Sequence, residues 1–447
     1  MKDAPAQKQP AVFIETYGCQ MNKYDSELVA GLLESGGCSM TADLETADVI
    51  LVNTCSVREH AEKRVFGRLS VLAHWKKQLP GKRLGLIGCM ARRLGSELLD
   101  ECPELDFILG PDNYRQLPGL ITGGRTSPLV DIAFDKNEHY SRIDARRAPG
   151  VCGWVAVMRG CDNYCSYCIV PYTRGRERSR PADDIILEIE RMGRSGYREV
   201  TLLGQNVNSY HDGKTGFPAL LRMTGQISSV HRIRFMTSHP KDLSPRLLDV
   251  MAEGQRIMPH IHLPVQAGSD RILSLMNRNY TRQAYMDMVD QARDVIPGLS
   301  VTTDIMVGFP GETEKDFSDT VNLMERIRFD EAFTYHYSVR EGTRAASMRD
   351  MLSEEEKLRR LDIIIRLQRE ITLEKKQAMI GRVVEVLPES TSRKAGDEWL
   401  GRTPCNHVVV IPKAGTSPGQ PVQTVIESCR GMTLRGRPVH SKASVVL

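Results

Sequence analysis

The chain has 447 residues, 41% of them hydrophobic and 26% charged, with a formal net charge of +4. That length exceeds what one hydrophobic core supports and argues for two or three domains. No apolar run approaches the roughly 20 residues that cross a bilayer, and Met1 to Pro10 hold no apolar signal core, so a soluble cytoplasmic protein without a membrane partner is expected.

Residues 1–10 read as a flexible tail. Residues 11–128 alternate apolar strands (Val12 to Thr16, Val49 to Asn53, Leu84 to Ile87) with helices from about Asp25 and about Glu59, the pattern of an α/β domain with an open parallel sheet. A polar stretch from Asp135 to Ala148 reads as a linker. Residues 148–378 then alternate strands (Gly153 to Met158, Glu199 to Leu203, Arg232 to Met236, His260 to Leu263, Ser300 to Met306, Ala332 to Tyr337) with helices. Six such units fit a partial (βα)6 barrel of the TIM kind. Ser353 to Met379 reads as one long helix, with Ser353 and Glu356 spaced as a capping box and Leu358, Leu361 and Ile365 on one face. In residues 380–447, short Val-rich strands (Val383 to Val386, Val408 to Ile411, Gln423 to Ile426) broken by Gly and Pro suggest a small all-β barrel.

The small net charge hides two basic stretches. Between Ser56 and Arg93 lie Arg58, Lys63, Arg64, Arg68, Lys76, Lys77, Lys82, Arg83, Arg92 and Arg93, against Glu59 and Glu62. Tyr172 to Arg180 adds Arg174, Arg176, Arg178 and Arg180 against Glu177. Either alone suits a solvated helix face; together they favour a polyanionic partner.

In a reducing cytosol, clustered cysteines read as metal or cluster ligands rather than disulfides. Cys161, Cys165 and Cys168 follow a predicted strand, where barrel enzymes place their chemistry. A structural zinc site wants four ligands, and no fourth Cys or His completes the set locally. A cubane iron-sulfur cluster wants one cysteine per iron, so three thiolates leave one iron open. Cys19, Cys55 and Cys89 end three predicted strands. In an open parallel sheet those ends face one crevice, so the three read as a second three-thiolate cluster site. Cys38 and Cys102 have no such placement, and Cys152, Cys405 and Cys429 read as structural.

The run Cys161-Asp-Asn-Tyr-Cys165-Ser-Tyr-Cys168 resembles the C-x3-C-x-aromatic-C signature of the radical S-adenosylmethionine superfamily. That resemblance implies a 4Fe-4S cluster whose open iron chelates S-adenosylmethionine, with Tyr167 near the adenine. Gly204, Gln205 and Asn206 stand where relatives carry a Gly-rich motif for the methionine amino group, without the usual acidic residue. Ser269, and the loop from Asp304 through Gly308 to Gly311, stand where relatives bind ribose or adenine.

The whole chain resembles the radical S-adenosylmethionine methylthiotransferases, which join an N-terminal cluster domain, a radical core and a C-terminal TRAM domain. The resemblance implies two 4Fe-4S clusters and two S-adenosylmethionine molecules per turnover. One of these methylates sulfur at the auxiliary cluster; the other generates a radical that activates an unreactive C-H bond. It also implies a monomer served by a sulfur donor and an external one-electron reductant of flavodoxin or ferredoxin type. Tyr17 to Glu27 and Val170 to Glu177 look like the MiaB-type branch, which methylthiolates an isopentenyl-type adenosine in the tRNA anticodon stem-loop. A branch acting on threonylcarbamoyl adenosine is the nearer rival. A branch acting on a ribosomal-protein aspartate typically has Pro-Lys-Asn where Gln20-Met21-Asn22 stands here. A non-enzymatic iron-sulfur RNA-binding or electron-transfer protein is the alternative of a different class. Such carriers saturate every iron with cysteine, which two three-cysteine sites do not.

Overall fold

The computed structural model describes residues 9–56, 59–79, 81–123, 128–254, 256–392 and 395–439. Most of the expected tail, Arg58 and the chain after residue 439 lie outside the described residues.

The N-terminal sheet is built on β1 (Ala11–Tyr17), β2 (Ser39–Met40), β3 (Val49–Thr54), β4 (Arg83–Gly88), β5 (Phe107–Leu109) and β6 (Leu129–Asp131). They pair in the order β2-β1-β3-β4-β5-β6, and every pairing is parallel. Helices cover both faces, so all six residues of β3 are buried, the reason Val-Ile-Leu-Val runs without alternation there. Register decides the rest: Tyr17 lies opposite Thr54, and Thr54 opposite Gly88, so three strands end level.

The second sheet system uses β7 (Cys152–Ala156), β10 (Glu199–Leu203), β11 (Arg232–Met236), β12 (His260–His262), β13 (Ser300–Val307) and β14 (Glu331–His336). A short ribbon of β8 (Met158–Arg159) and β9 (Arg178–Ser179) follows β7. Two three-stranded parallel sheets, β11-β10-β7 and β12-β13-β14, are linked by a bridge between Ile233 and Ile257, giving the six-stranded open barrel. Val155, Val200, Ile233, Ile261 and Val301 pack outward against the helices. Alternation then turns Trp154, Thr201, Arg234, His262 and Thr302 to the inner face.

The stretch expected to be a linker carries no helix or strand, yet it is packed. Tyr140 is buried, stacks on Tyr114 at 5.6 Å and donates to the Pro111 carbonyl at 2.9 Å. Arg147 pairs with Glu27 on one side and Glu188 on the other. The segment therefore straps the parallel sheet to the barrel.

The long helix spans Glu354–Gln377, and Ser353 accepts a hydrogen bond from the Glu356 backbone. Its buried face corrects the sequence expectation in part: Leu361 packs against the barrel core, but Leu358 does not. Leu358 is 53% exposed, while Lys357, Arg360, Ile364, Gln368, Ile371, Thr372 and Lys376 are buried. The helix crosses open backbone at the start of β14: Gln368 donates to the Phe329 carbonyl and Thr372 to that of Asp330, both at 2.9 Å. Polar side chains win that face because they satisfy buried carbonyls.

β15 (Val383–Thr391), β16 (Glu398–Arg402), β17 (Val408–Pro412), β18 (Val422–Arg430) and β19 (Thr433–Pro438) close a barrel in the order β15-β16-β17-β19-β18. β16 and β19 escape a reading for Val-rich runs because each holds a glycine at a crowded point. A Cβ at Gly401 would lie 2.6 Å from the Leu387 carbonyl, and one at Gly436 2.5 Å from Thr424.

Candidate active site

The level ends of β1, β3 and β4 deliver Cys19, Cys55 and Cys89 to one edge of the sheet. Two glycines permit the approach. A Cβ at Gly18 would lie 2.4 Å from Asn22 Oδ1 and 2.8 Å from Cys55 Cβ. Gly88 has φ +100°, and its Cβ would lie 2.5 Å from the Thr54 carbonyl. The helix Gln20–Ser35 starts immediately after Cys19, earlier than the expected Asp25. Asn22 in its first turn is buried and donates to Asn53 Oδ1 at 3.2 Å and the Thr54 carbonyl at 3.1 Å. Asn53 answers with bonds to the Asn22 carbonyl and Ser26, both 2.9 Å. These amides lock the strand ends together.

Cys55 and Cys89 are buried and Cys19 is exposed at the rim. A hydrogen bond with the Cys55 thiol pulls the Cys19 thiol down to about 6, with help from Arg174. Burial pushes the Cys89 thiol up, opposed by the same arginine.

That arginine belongs to the barrel domain. Arg174 ends the helix Val170–Arg174, and Arg159 lies in β8; both reach Asp25 on the N-terminal helix, at 2.9 Å and 2.5 Å. Arg178 grips Asp112 at 2.7 and 3.0 Å, and Arg180 meets Glu188 at 2.7 Å and the Tyr24 hydroxyl at 2.9 Å. The arginine run read as a polyanion contact is thus a clamp between domains. Arg176 alone of the four is exposed, and it pairs with Asp162. Much of the first basic stretch is likewise engaged within its own domain: Arg68 with Glu15, Lys76 with Asp106, Lys77 with Glu104, and Arg93 with Glu62.

The second cysteine set lies in a loop between β8 and the helix Val170–Arg174. Gly160 has φ +77°, and its Cβ would lie 2.0 Å from the Arg176 carbonyl. Tyr164 adopts φ +47°, held by Asn277 Nδ2, which donates to the Asn163 and Tyr164 carbonyls at 3.1 and 3.0 Å. Ser166 donates to the Leu275 carbonyl at 2.8 Å. Burial raises the Cys161 thiol to about 11 and the Cys168 thiol to about 12. Arg278, buried, aims Nη1 at Cys165 Sγ at 3.5 Å and Nε at the Tyr280 hydroxyl at 2.8 Å. No spacing rule flags Arg278, because it lies more than a hundred residues from its thiol.

The residues expected to contact S-adenosylmethionine divide by what occupies their side chains. Tyr167 is half-buried and packs against the small apolar cluster that includes Ala267, Met276 and Phe309. Gln205 accepts from the Gly160 amide at 2.5 Å, tying the end of β10 to the cysteine loop, and Gly204 packs on Met158. Asp304 is half-buried with Oδ1 3.5 Å from His262 Nε2. Asn206 uses both ends of its amide on Asp242 and the His239 backbone. Ser269 donates to Asp316 at 2.5 Å and caps the helix Asp270–Leu275.

Both cysteine sets fit iron-sulfur clusters. Each offers three thiol donors beside a buried guanidinium, and Nη1 of Arg174 has no hydrogen-bond partner. A cluster held by three thiolates is an anion and answers that charge. Among the described residues, Cys152, Glu199 and Glu389 bring ligand atoms within 4.8 Å of one another. Arg232 and Arg234 pair with Glu199, and Arg402 with Glu389, so these carboxylates are already neutralised.

Comparison with known proteins follows the same division. The Radical SAM superfamily matches residues 155–324, Uncharacterized protein family UPF0004 residues 11–110, and the TRAM domain residues 377–439. A tRNA-2-methylthio-N(6)-dimethylallyladenosine synthase of Syntrophomonas wolfei subsp. wolfei is 44% identical over 436 residues, 96% of this chain and 98% of that protein. One of Parabacteroides distasonis is 43% identical over 447 residues, covering 98% of each. Among solved structures, the radical S-adenosylmethionine methyltransferase TsrM of Kitasatospora setae shares the fold, with a TM-score of 0.59 at 14% identity over 76% of this chain and 74% of that one.

Proposed function

The chain belongs to the radical S-adenosylmethionine methylthiotransferases, the family of the tRNA-2-methylthio-N(6)-dimethylallyladenosine synthases, and on that premise we propose that it inserts a methylthio group at C2 of an N6-isopentenyl-type adenosine beside the anticodon of tRNA. The observation that carries this reading is the similarity of the chain, over nearly its whole length, to such synthases, with a three-cysteine set in each of two domains that Arg174 and Asp25 join. The shared name of these relatives favours this substrate over threonylcarbamoyl adenosine or a ribosomal-protein aspartate.

The family's cofactors are a 4Fe-4S cluster and S-adenosylmethionine, which together supply a carbon-centred radical strong enough to open an aromatic C-H bond. In our reading Cys161, Cys165 and Cys168 hold that cluster, and Cys19, Cys55 and Cys89 hold a second. Arg278 steadies Cys165, and Gln205 fixes the Gly160 turn that sets the loop's entry. Asp304 and His262 give the inner barrel face polar groups, beside the Phe333 ring, which stands nearly perpendicular to the His262 ring at a centroid separation of 5.8 Å. The C-terminal barrel contributes contacts to tRNA that position it without reading bases. No described helix is long and apolar enough to cross a membrane. A sulfur donor and a one-electron reductant of flavodoxin or ferredoxin type complete the reaction.

The test is mass spectrometry of tRNA nucleosides from cells lacking this chain. Loss of the 2-methylthio nucleoside with accumulation of its unthiolated precursor is expected; an unchanged profile overturns the reading. In the purified protein, Cys165→Ala should abolish 5′-deoxyadenosine formation, whereas Cys55→Ala should retain it and lose sulfur insertion. Equal loss of both activities in the Cys55 variant overturns the division of roles.

A further inference from the structure

The cysteine set at the sheet edge is completed by a side chain from the other domain. Arg174 is 4% exposed and Arg159 2% exposed, and one carboxylate, Asp25, pairs with both. Two guanidiniums share one carboxylate, and that of Arg174 also faces the cysteine edge. Arg174 Nη2 is held by Asp25, Nη1 is left without a close partner, and the guanidinium as a whole interacts with the thiols of Cys89 and Cys19. Tyr114, a further neighbour of this guanidinium, is a phenol that burial keeps neutral, while Tyr140 lies under the Arg159 guanidinium, 4.5 Å from its ring centroid. A buried cation with a free donor is expensive unless an anion meets it.

We propose that Arg174 is a positioning residue for the auxiliary cluster, donating from Nη1 to its sulfur atoms and raising its reduction potential. The inference rests on the reading that Cys19, Cys55 and Cys89 hold a cluster. The direction follows from charge: a cluster gains negative charge on reduction, and a fixed cation at hydrogen-bond range in a dry site favours the reduced form. The fold makes the contact obligatory. Gly175, next in sequence, has φ +73° and turns the chain away, so the helix Val170–Arg174 ends with its last side chain pointing across the junction. Asp25 holds Arg174 through one oxygen, Oδ2 accepting from Nη2 at 2.9 Å, and Arg159 through the other, which anchors the guanidinium at the junction. The three cysteines come from one sheet, so only the Arg174 contribution to the site depends on the docking of the two domains.

The experiment uses the full chain with Cys161, Cys165 and Cys168 all changed to Ala, so that only the sheet-edge cysteines can bind a cluster. Iron content and an electron paramagnetic resonance redox titration are measured for this parent and for its Arg174→Lys and Arg174→Gln variants. A midpoint potential that falls in the Gln variant, with Lys between Gln and parent, is expected. Protein labelled with 15N-arginine should show hyperfine coupling of a guanidinium nitrogen to the reduced cluster in the parent and none in Arg174→Lys. Because Lys keeps the charge that Asp25 needs, this second readout stands even where the Gln variant fails to fold. An iron-loaded parent lacking the nitrogen coupling, or an unchanged potential in a folded Gln variant, overturns the inference alone. Failure of the parent to bind iron overturns the two-cluster reading and this inference with it.

Discussion

Asp25 Oδ1 lies 2.5 Å from Arg159 Nη2, and the Asp25 carboxylate is fully buried. The pair joins the first helix of the parallel-sheet domain to the strand end that leads into the radical cysteine loop, so a single carboxylate holds the two halves of the site together. Asp25→Asn keeps the shape and removes the charge, leaving two buried guanidiniums without a counter-ion. Loss of one partner of a buried pair costs about 3–5 kcal/mol. Urea denaturation of the apo-protein should show a destabilisation of that order, and the iron bound per chain should fall.

Gly88→Ala probes the close approach of the strand ends. The φ of +100° is unfavourable for any side chain, and the new Cβ would lie 2.5 Å from a backbone carbonyl that has no flexible atom to yield. Strain of this kind costs about 1–3 kcal/mol. Iron binding at Cys19, Cys55 and Cys89 is expected to drop while the cluster of the other cysteine set is retained, as iron analysis and 5′-deoxyadenosine formation would report.

Glu177 carries a pH signature. Burial raises its carboxyl to about 7, against a hydrogen bond donated by Ser209 at 2.7 Å, and the nearby Asp162 and Asp242 add to the rise. The unfolded chain titrates near 4.5. Between those values the folded state binds more protons than the unfolded one, so this group's contribution to stability is full below about 4.5 and is lost as pH rises through 7. Glu177→Gln should flatten that part of the profile: the difference in urea midpoint between pH 5 and pH 8 should shrink relative to the wild type.

The long C-terminal helix supplies a contrast between two substitutions on one element. Leu358 is exposed, and Leu358→Ala should change stability by less than about 0.5 kcal/mol. Gln368 is buried and satisfies the Phe329 carbonyl, so Gln368→Leu should cost about 1–3 kcal/mol by orphaning that acceptor. Thermal denaturation of both variants ranks them directly.

What was legible in the residues were the features that depend on neighbours in sequence. The spacing of Cys161, Cys165 and Cys168 is local, so the cysteine group and the loop that carries it could be read from it. The strand ends at Cys19, Cys55 and Cys89 could be read because apolar runs mark strands and a parallel sheet sends all its carboxyl ends to one edge. The same local view misread the helix 354–377, where Leu358 follows an apolar period and yet faces solvent. The buried stripe there is set by which backbone groups β14 leaves open, and those are contributed by a segment some forty residues away.

Charge was the other quantity that sequence alone could not assign. Arg174, Arg178 and Arg180 read as a basic run because their number and spacing are visible, whereas the acids that meet them, Asp25, Asp112 and Glu188, lie on other elements. By itself the sequence determined the two cysteine sets, the strand and helix alternation, and the family these imply. Only the tertiary structure decided that three arginines point inward, that Arg278 reaches Cys165, and that Arg174 of one domain completes the cysteine edge of the other. The physical reason is that ligand spacing is a property of the chain, while the partner of a buried charge is whichever group the packed domains bring within hydrogen-bond distance.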